Sequence, residues 1–88
     1  MPEFLVLLKL NPMQIIDALS AIRNLEQKPV PGVDLLYSIN IFGSWDAGVW
    51  INANENAQAL DFVQKKIKTL GGVTETYSIP TFPHGNGV

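Results

Sequence analysis

One grammar is written twice in this chain: an apolar or alternating segment, an amphipathic helical stretch, a glycine-containing break, and an alternating segment. The two breaks are Pro31-Gly32-Val33 and Gly71-Gly72-Val73, forty residues apart counted from Gly32 to Gly72. A duplicated strand-helix-strand unit leaves few folds open, because each helix must carry the chain back to the same sheet by a right-handed crossover. Phe4 to Leu10, interrupted only by Lys9, reads as a strand buried on both faces and therefore central. Asn11-Pro12-Met13-Gln14 supplies an N-cap residue, a proline at the first helical position and a glutamine at the capping-box position. Met13, Ile16, Leu19, Ile22 and Leu25 follow at three-residue steps, widened by Ile15 and Ala18, so one face of this helix must be covered. Pro29, Pro31 and Gly32 then make Glu26 to Gly32 a connecting loop.

From Val33 the period changes to two. Val33, Leu35, Tyr37, Ile39 and Ile41 fall on one side of a strand, with Asp34, Leu36, Ser38, Asn40 and Phe42 on the other. Ala47, Val49, Ile51 and Ala53 alternate in the same way with Gly48, Trp50 and Asn52, which predicts a hairpin. Parity sets the loop: the apolar odd positions share a face only if Phe42 pairs with Asp46, leaving the three-residue loop Gly43-Ser44-Trp45. Asn54 or Asn56 can cap the second helix, whose stripe is Ala57, Leu60, Val63, Ile67 and Leu70. The last strand, Val73 to Ile79, carries Thr74, Thr76 and Ser78 on its even face, and 83–88 reads as a flexible tail. Strand, helix, strand, strand, helix, strand is the ferredoxin-like βαββαβ arrangement: an α+β fold with a four-stranded antiparallel sheet in the order 4-1-3-2 and two helices on one face.

A chain of 88 residues has room for one core, so residues 1–88 are expected to form a single domain. Hydrophobic residues at 47% against 16% charged place it among packed globular domains rather than disordered ones. Its net charge of -2 gives no long-range pull on nucleic acid or acidic lipid, and the five-residue run Phe4 to Leu8 is far too short to span a bilayer. The absence of cysteine removes disulfides, thiolate chemistry and zinc fingers, and fits a reducing, cytoplasmic setting. Neither a phosphate loop nor paired-histidine metal spacing nor a nucleotide-binding glycine fingerprint occurs, so no cofactor is expected.

Two helices cover one side of the sheet. The other, built from even positions, is expected to expose Leu36, Phe42, Trp50 and Leu5 or Leu7 among Ser38, Asn40, Asn52, Thr74, Thr76 and Ser78. Such a face either stays wet or packs on a second copy; the tryptophans favour a face-to-face homodimer, with Leu36, Phe42 and Trp50 at its interface.

The order helix, Pro31-Gly32-Val33, strand, Gly43-Ser44-Trp45-Asp46, helix, Gly72-Val73, then Thr76 and Ser78 resembles the effector-binding, or RAM, domain of the Lrp/AsnC transcription regulators over about residues 3 to 80. The resemblance implies a dimeric α/β sandwich or barrel that assembles further and binds amino-acid-like effectors between subunits. It also implies ligand-binding roles for Gly43, Ser44, Trp45, Asp46, Thr76 and Ser78. Loop N–H groups would meet a carboxylate, Asp46 an ammonium, and the two hydroxyls a polar group. Trp45 stands where tyrosine is common in that family, and Ser78 where threonine is. Family members place a winged helix-turn-helix before this domain, whereas here the first strand starts within four residues of Met1, so the chain is expected to act as a stand-alone module reaching DNA only through a Lrp/AsnC-type partner.

Each motif also has a plainer structural explanation. The Gly43 to Asp46 segment suits a hairpin turn, and Thr76 with Ser78 suits a solvated strand. Lys65, Lys66 and Lys68 offset a helix dipole, while His84, the sole histidine, falls in the tail. Two other functional classes stand beside the effector module: a cofactor-free dimeric α/β-barrel enzyme of monooxygenase or isomerase type acting on a small hydrophobic substrate, and an adaptor that binds other regulators without an effector.

Overall fold

The computed structural model describes residues 3–41 and 43–81. They form β1 (Glu3–Leu10), α1 (Ile15–Arg23), β2 (Val33–Asn40), β3 (Ala47–Ala53), α2 (Asn56–Phe62) and β4 (Val73–Thr81). All pairings are antiparallel and the sheet order is β2-β3-β1-β4, the expected order read from the other edge. The expected tail, with His84, lies outside the described residues, as does Phe42.

Asn11 caps as its sequence context demands. Its Oδ1 accepts from the Met13 amide at 3.0 Å, Pro12–Gln14 form a single 3₁₀ turn, and α1 continues from there. The buried side of α1 is Ala18 and Ile22, with Ile15, Leu19 and Leu25 packed beside them. Met13 and Ile16, expected in the stripe, are 90% and 76% exposed. The reason is geometric: each three-residue step falls about 60° short of a full turn, so five such positions wind most of the way around a helix and cannot share one face.

α2 behaves similarly. It starts from Glu55, without a side-chain cap, and runs into a π-helical turn over Val63–Ile67. Ala59, Phe62, Val63 and Ile67 are buried, whereas Leu60 is 59% exposed. The large Phe62 ring takes the core and centres the buried arc away from Leu60, and the extra residue of the π turn swings Ile67 back inward.

These helical residues meet Phe4, Val6, Leu8 and Leu10 of β1 and Ala47, Val49, Ile51 and Ala53 of β3 in one core. Each fully buried Val, Leu, Ile or Phe contributes about 1.5–3 kcal/mol relative to exposure. Only the even side of β1 is buried; Leu5 and Leu7 point to the other side and are half-buried, so the strand is not covered on both faces within the chain.

The duplication is real in backbone contacts. The Gly72 carbonyl accepts from Asn11 N at 2.7 Å, and the Gly32 carbonyl accepts from Asn54 N at 3.0 Å, tying the start of each helix to the break after the other. Both glycines have positive φ, +79° at Gly32 and +90° at Gly72. A Cβ on Gly72 would stand 3.1 Å from Gln14 Cβ and 3.2 Å from Ala18 Cβ, so the break is also where α1 lies closest.

β2 departs from strict alternation. Leu35 pairs with Ile51 and Tyr37 with Trp50, which leaves Leu36 as an extra residue in a bulge. Parity flips there: Tyr37 and Ile39 lie on the helix-free side opposite Trp50 and Gly48, while Ser38 and Asn40 join Val49 and Ala47 on the helix side. Ile41 N donates to Asp46 O at 3.1 Å, while the expected pairing of Phe42 with Asp46 falls on a residue outside the described ones.

Candidate ligand-binding site

The loop after β2 is fastened to the centre of the sheet by Asp46. Its amide donates to Leu8 O at 2.9 Å, carrying the β1–β3 pairing one step past Leu8 and Ala47, and its Oδ2 accepts from Leu10 N at 2.8 Å. The carboxylate therefore stands in for a strand partner at the end of β1. Gly43 and Ser44 are exposed at the tip, and Gly43 has φ +108° with nothing within 4 Å of where a Cβ would sit. Trp45 is half-buried and lies nearly parallel to Tyr77 of β4, ring centroids 6.0 Å apart at 15°. Loop tip, carboxylate and aromatic pair thus occupy one end of the helix-free face.

Thr76 and Ser78 are not part of that group. They pair with Leu8 and Val6, whose side chains face the helices, so both hydroxyls are on the helix side and not on the face shared by Trp50. The correction comes from register: Lys9 pairs with Glu75 and Leu10 with Val73, so Thr74 is skipped and the parity of β4 shifts by one. Thr74 Oγ1 donates to Lys9 O at 3.2 Å at this irregularity. Thr76 instead lines an open groove of about 450 Å³ with Lys68, Val73, Thr74 and Glu75.

The helix-free face itself is more apolar than alternation predicts. Leu5, Leu7, Tyr37, Ile39, Trp50, Tyr77 and Ile79 share it by register. Tyr37 packs tilted against Trp50 with centroids 6.1 Å apart. Gly48 lies beneath Leu5 and Ile39, since a Cβ there would be 3.2 Å from Leu5 Cδ1 and 3.3 Å from Ile39 Cγ1. Of the three residues expected at a dimer interface, Trp50 is on this face and Leu36 is the exposed bulge residue. Tyr37, Ile39, Tyr77 and Ile79 were absent from that expectation. The adjacent apolar pair Leu35-Leu36 was the visible mark of the slip in β2, because two neighbours in a regular strand cannot both face the core.

Among the described residues no group of three or more His, Cys, Asp and Glu side chains gathers where a metal could sit, and no helix is long and apolar enough to cross a membrane. Lys65, one of the helix-terminal lysines, is paired with Asp61 at 3.2 Å.

No protein-family model and no curated protein sequence matches the chain. Solved structures do. A protein from Thermus thermophilus superposes with TM-score 0.77 at 20% identity, covering 97% of this chain and 98% of that one. E. coli AsnC superposes with TM-score 0.74 at 11% identity over 99% of this chain and 56% of AsnC. A transcriptional regulatory protein from Pyrococcus furiosus, a member of the AsnC family, gives 0.68 at 14% identity over 98% of this chain and 53% of its own. The chain thus has the fold of a little over half of each AsnC-type protein, and the resemblance read from its residue order is present in three dimensions.

Proposed function

We propose that this chain is a small-molecule effector-binding and oligomerisation module of the regulatory RAM type, a single domain over residues 1–88 that binds an amino acid and performs no chemistry on it. The observation that carries the reading is the helix-free sheet face. Seven apolar or aromatic side chains, Leu5, Leu7, Tyr37, Ile39, Trp50, Tyr77 and Ile79, share it without a covering layer inside the chain. Contiguous apolar surface of this kind marks an interaction site, and a self-complementary sheet face supports a twofold dimer closing into an α/β barrel. A stable dimer of ordinary size buries about 800 Å² per partner, within reach of one face of a four-stranded sheet. The Gly43 to Asp46 loop stands at the margin of that face, where a ligand would lie between subunits.

In this reading the loop amides take the effector carboxylate and the Asp46 oxygen not bonded to Leu10 takes its ammonium. Thr76 and Ser78, on the helix side of the edge strand, reach a ligand only from the rim through a neighbouring copy. Binding between subunits shifts the population toward one assembly, dimer or higher homo-oligomer, and that assembly is what a DNA-binding Lrp/AsnC-type partner in the cytoplasm reads. The module itself touches neither nucleic acid nor membrane.

Sedimentation velocity at micromolar protomer, with and without a panel of amino acids, tests the reading. The expected result is a dimer or larger species whose association number responds to at least one amino acid, and an Ile39→Lys variant that sediments as monomer. A folded wild-type chain that is monomeric throughout, or turnover of a bound small molecule, refutes it.

A further inference from the structure

We infer that β2 is a two-register strand: the bulge at Leu36 is movable, and packing of the helix-free face on a second copy selects the register seen in the structure. The inference rests on the assembly reading above and adds a device that regulates it. It begins from the stretch after the bulge, Tyr37-Ser38-Ile39-Asn40-Ile41, apolar at odd positions, polar at even ones and without charge. With Leu36 skipped, Tyr37 and Ile39 stand opposite Trp50 and Gly48 on the helix-free face, where they are 53% and 37% exposed. Passing the extra residue on toward Asp46 would instead set Leu36 opposite Trp50, Tyr37 opposite Val49 and Ile39 opposite Ala47. Both apolar side chains would then turn toward the helices, and Ser38 and Asn40 toward the open face.

Each register has its own support. The bulged one is held by the Tyr37–Trp50 ring pair at 6.1 Å and by Ile39 lying over Gly48, contacts that strengthen when the face is covered. The slipped one takes Tyr37 and Ile39 off the open face of an unassociated chain, and the helix side has an open margin to receive them, since Asn40 is exposed there and Ser38 half-buried. β2 can slip without disturbing its neighbours. It is an edge strand paired only with β3, and the start of β3 is fixed because Asp46 is tied to Leu8 and Leu10. Before the bulge β2 is pinned: Val33 is buried, Leu35 N donates to Gln27 O at 2.7 Å, and Lys28 pairs with Asp34 at 2.8 Å. The other edge strand, β4, lacks this freedom. Thr74 Oγ1 fastens its irregularity to Lys9 O at 3.2 Å, and the alternative register would set Glu75 opposite Leu8, which is fully buried. Covering the helix-free face therefore favours the bulged register of β2, and a chain held in that register associates more readily.

The test is nuclear magnetic resonance of the labelled full chain, reading cross-strand proton contacts in wild type and in Ile79→Lys, which disperses the assembly from the far edge strand without touching β2. Associated wild type should show Ser38 beside Val49 and Asn40 beside Ala47; dispersed protein should show Tyr37 beside Val49 and Ile39 beside Ala47. Deleting Leu36 removes the residue that the two registers trade, so the deletion variant should keep the first set of contacts even when Ile79→Lys is added. A free chain that spends half its time slipped weakens a symmetric dimer about fourfold, because each of two copies must first be reset, so deleting Leu36 should tighten association by about fourfold or more in sedimentation. Dispersed protein that keeps Ser38 beside Val49, or a folded deletion variant that associates no more tightly than wild type, overturns the inference and leaves the assembly reading standing. Wild-type protein that is monomeric at every concentration overturns both.

Discussion

Replacing Asp46 by alanine separates what this carboxylate does for the fold from what it would do for a ligand. Its Oδ2 accepts the Leu10 amide at 2.8 Å, and Leu10 is only 4% exposed, so in Asp46→Ala that N–H loses its acceptor where water has little access. An unsatisfied buried donor costs about 1–3 kcal/mol. Asp46→Asn keeps a carbonyl oxygen at the same place and gives up only the charge assistance, about 1 kcal/mol or less. For a domain of this size 1 kcal/mol moves Tm by roughly 4–8 °C, so a loss of about 2 kcal/mol in Asp46→Ala lowers Tm by roughly 8–16 °C and Asp46→Asn by less than half of that. Thermal and urea unfolding at a fixed protomer concentration measure the difference, the concentration being held because association adds to apparent stability. Hydrogen exchange supplies the local readout: protection of the Leu10 amide falls in Asp46→Ala more than in Asp46→Asn. Wild-type stability within about 0.5 kcal/mol in Asp46→Ala, with the Leu10 amide still protected, would show that the carboxylate does not close the end of β1.

Two further substitutions check the account of the scaffold. Gly72→Ala combines a left-handed backbone with contacts of 3.1 and 3.2 Å to Gln14 and Ala18, whereas Gly43→Ala meets open space. Both lose about 1–2 kcal/mol to φ, so chemical denaturation should find Gly72→Ala the more damaging, with equal losses counting against the close approach of α1. Phe62→Ala removes a fully buried ring and should cost about 3–5 kcal/mol, while Ile16→Lys, on the exposed side of α1, should stay within about 0.5 kcal/mol of wild type. A large loss in Ile16→Lys would mean that α1 faces another layer.

Strand number, helix number, sheet order and the doubled half were all legible in the sequence, because each depends on a signal spread over many residues. Alternation in β3 and the glycine breaks at Gly32 and Gly72 are signals of that kind. What the sequence left hidden turned on single residues. Leu36 and Thr74 are each skipped in pairing, and either one is enough to move every later side chain of its strand to the opposite face. Thr76 and Ser78 lie on the helix side for that reason, and Tyr37 and Ile39 on the helix-free face. The apolar odd positions of β2 and β4 did signal burial, yet sequence periodicity does not say whether the cover is the chain's own helices or a second molecule.

The pseudo-symmetry also explains why the candidate site lies where it does. Each half closes on the other through the same bond, Asn11 N to Gly72 O and Asn54 N to Gly32 O, and each supplies one central strand, β1 or β3. Those features have duplicates and serve the scaffold. The loop from Gly43 to Asp46 has none, since it joins the end of one half to the start of the next. It is free of the constraint that both copies build the same core, and beside the carboxylate that closes β1 it carries an indole that a turn alone would not need. Asp46 reaches Leu10 next to the α1 cap, and Trp45 reaches Tyr77 on the outer strand, so this unpaired loop touches both halves at one end of the uncovered face. A ligand held there would contact a segment that touches both halves at once, which is a geometric condition for a small molecule to bias how whole chains pack.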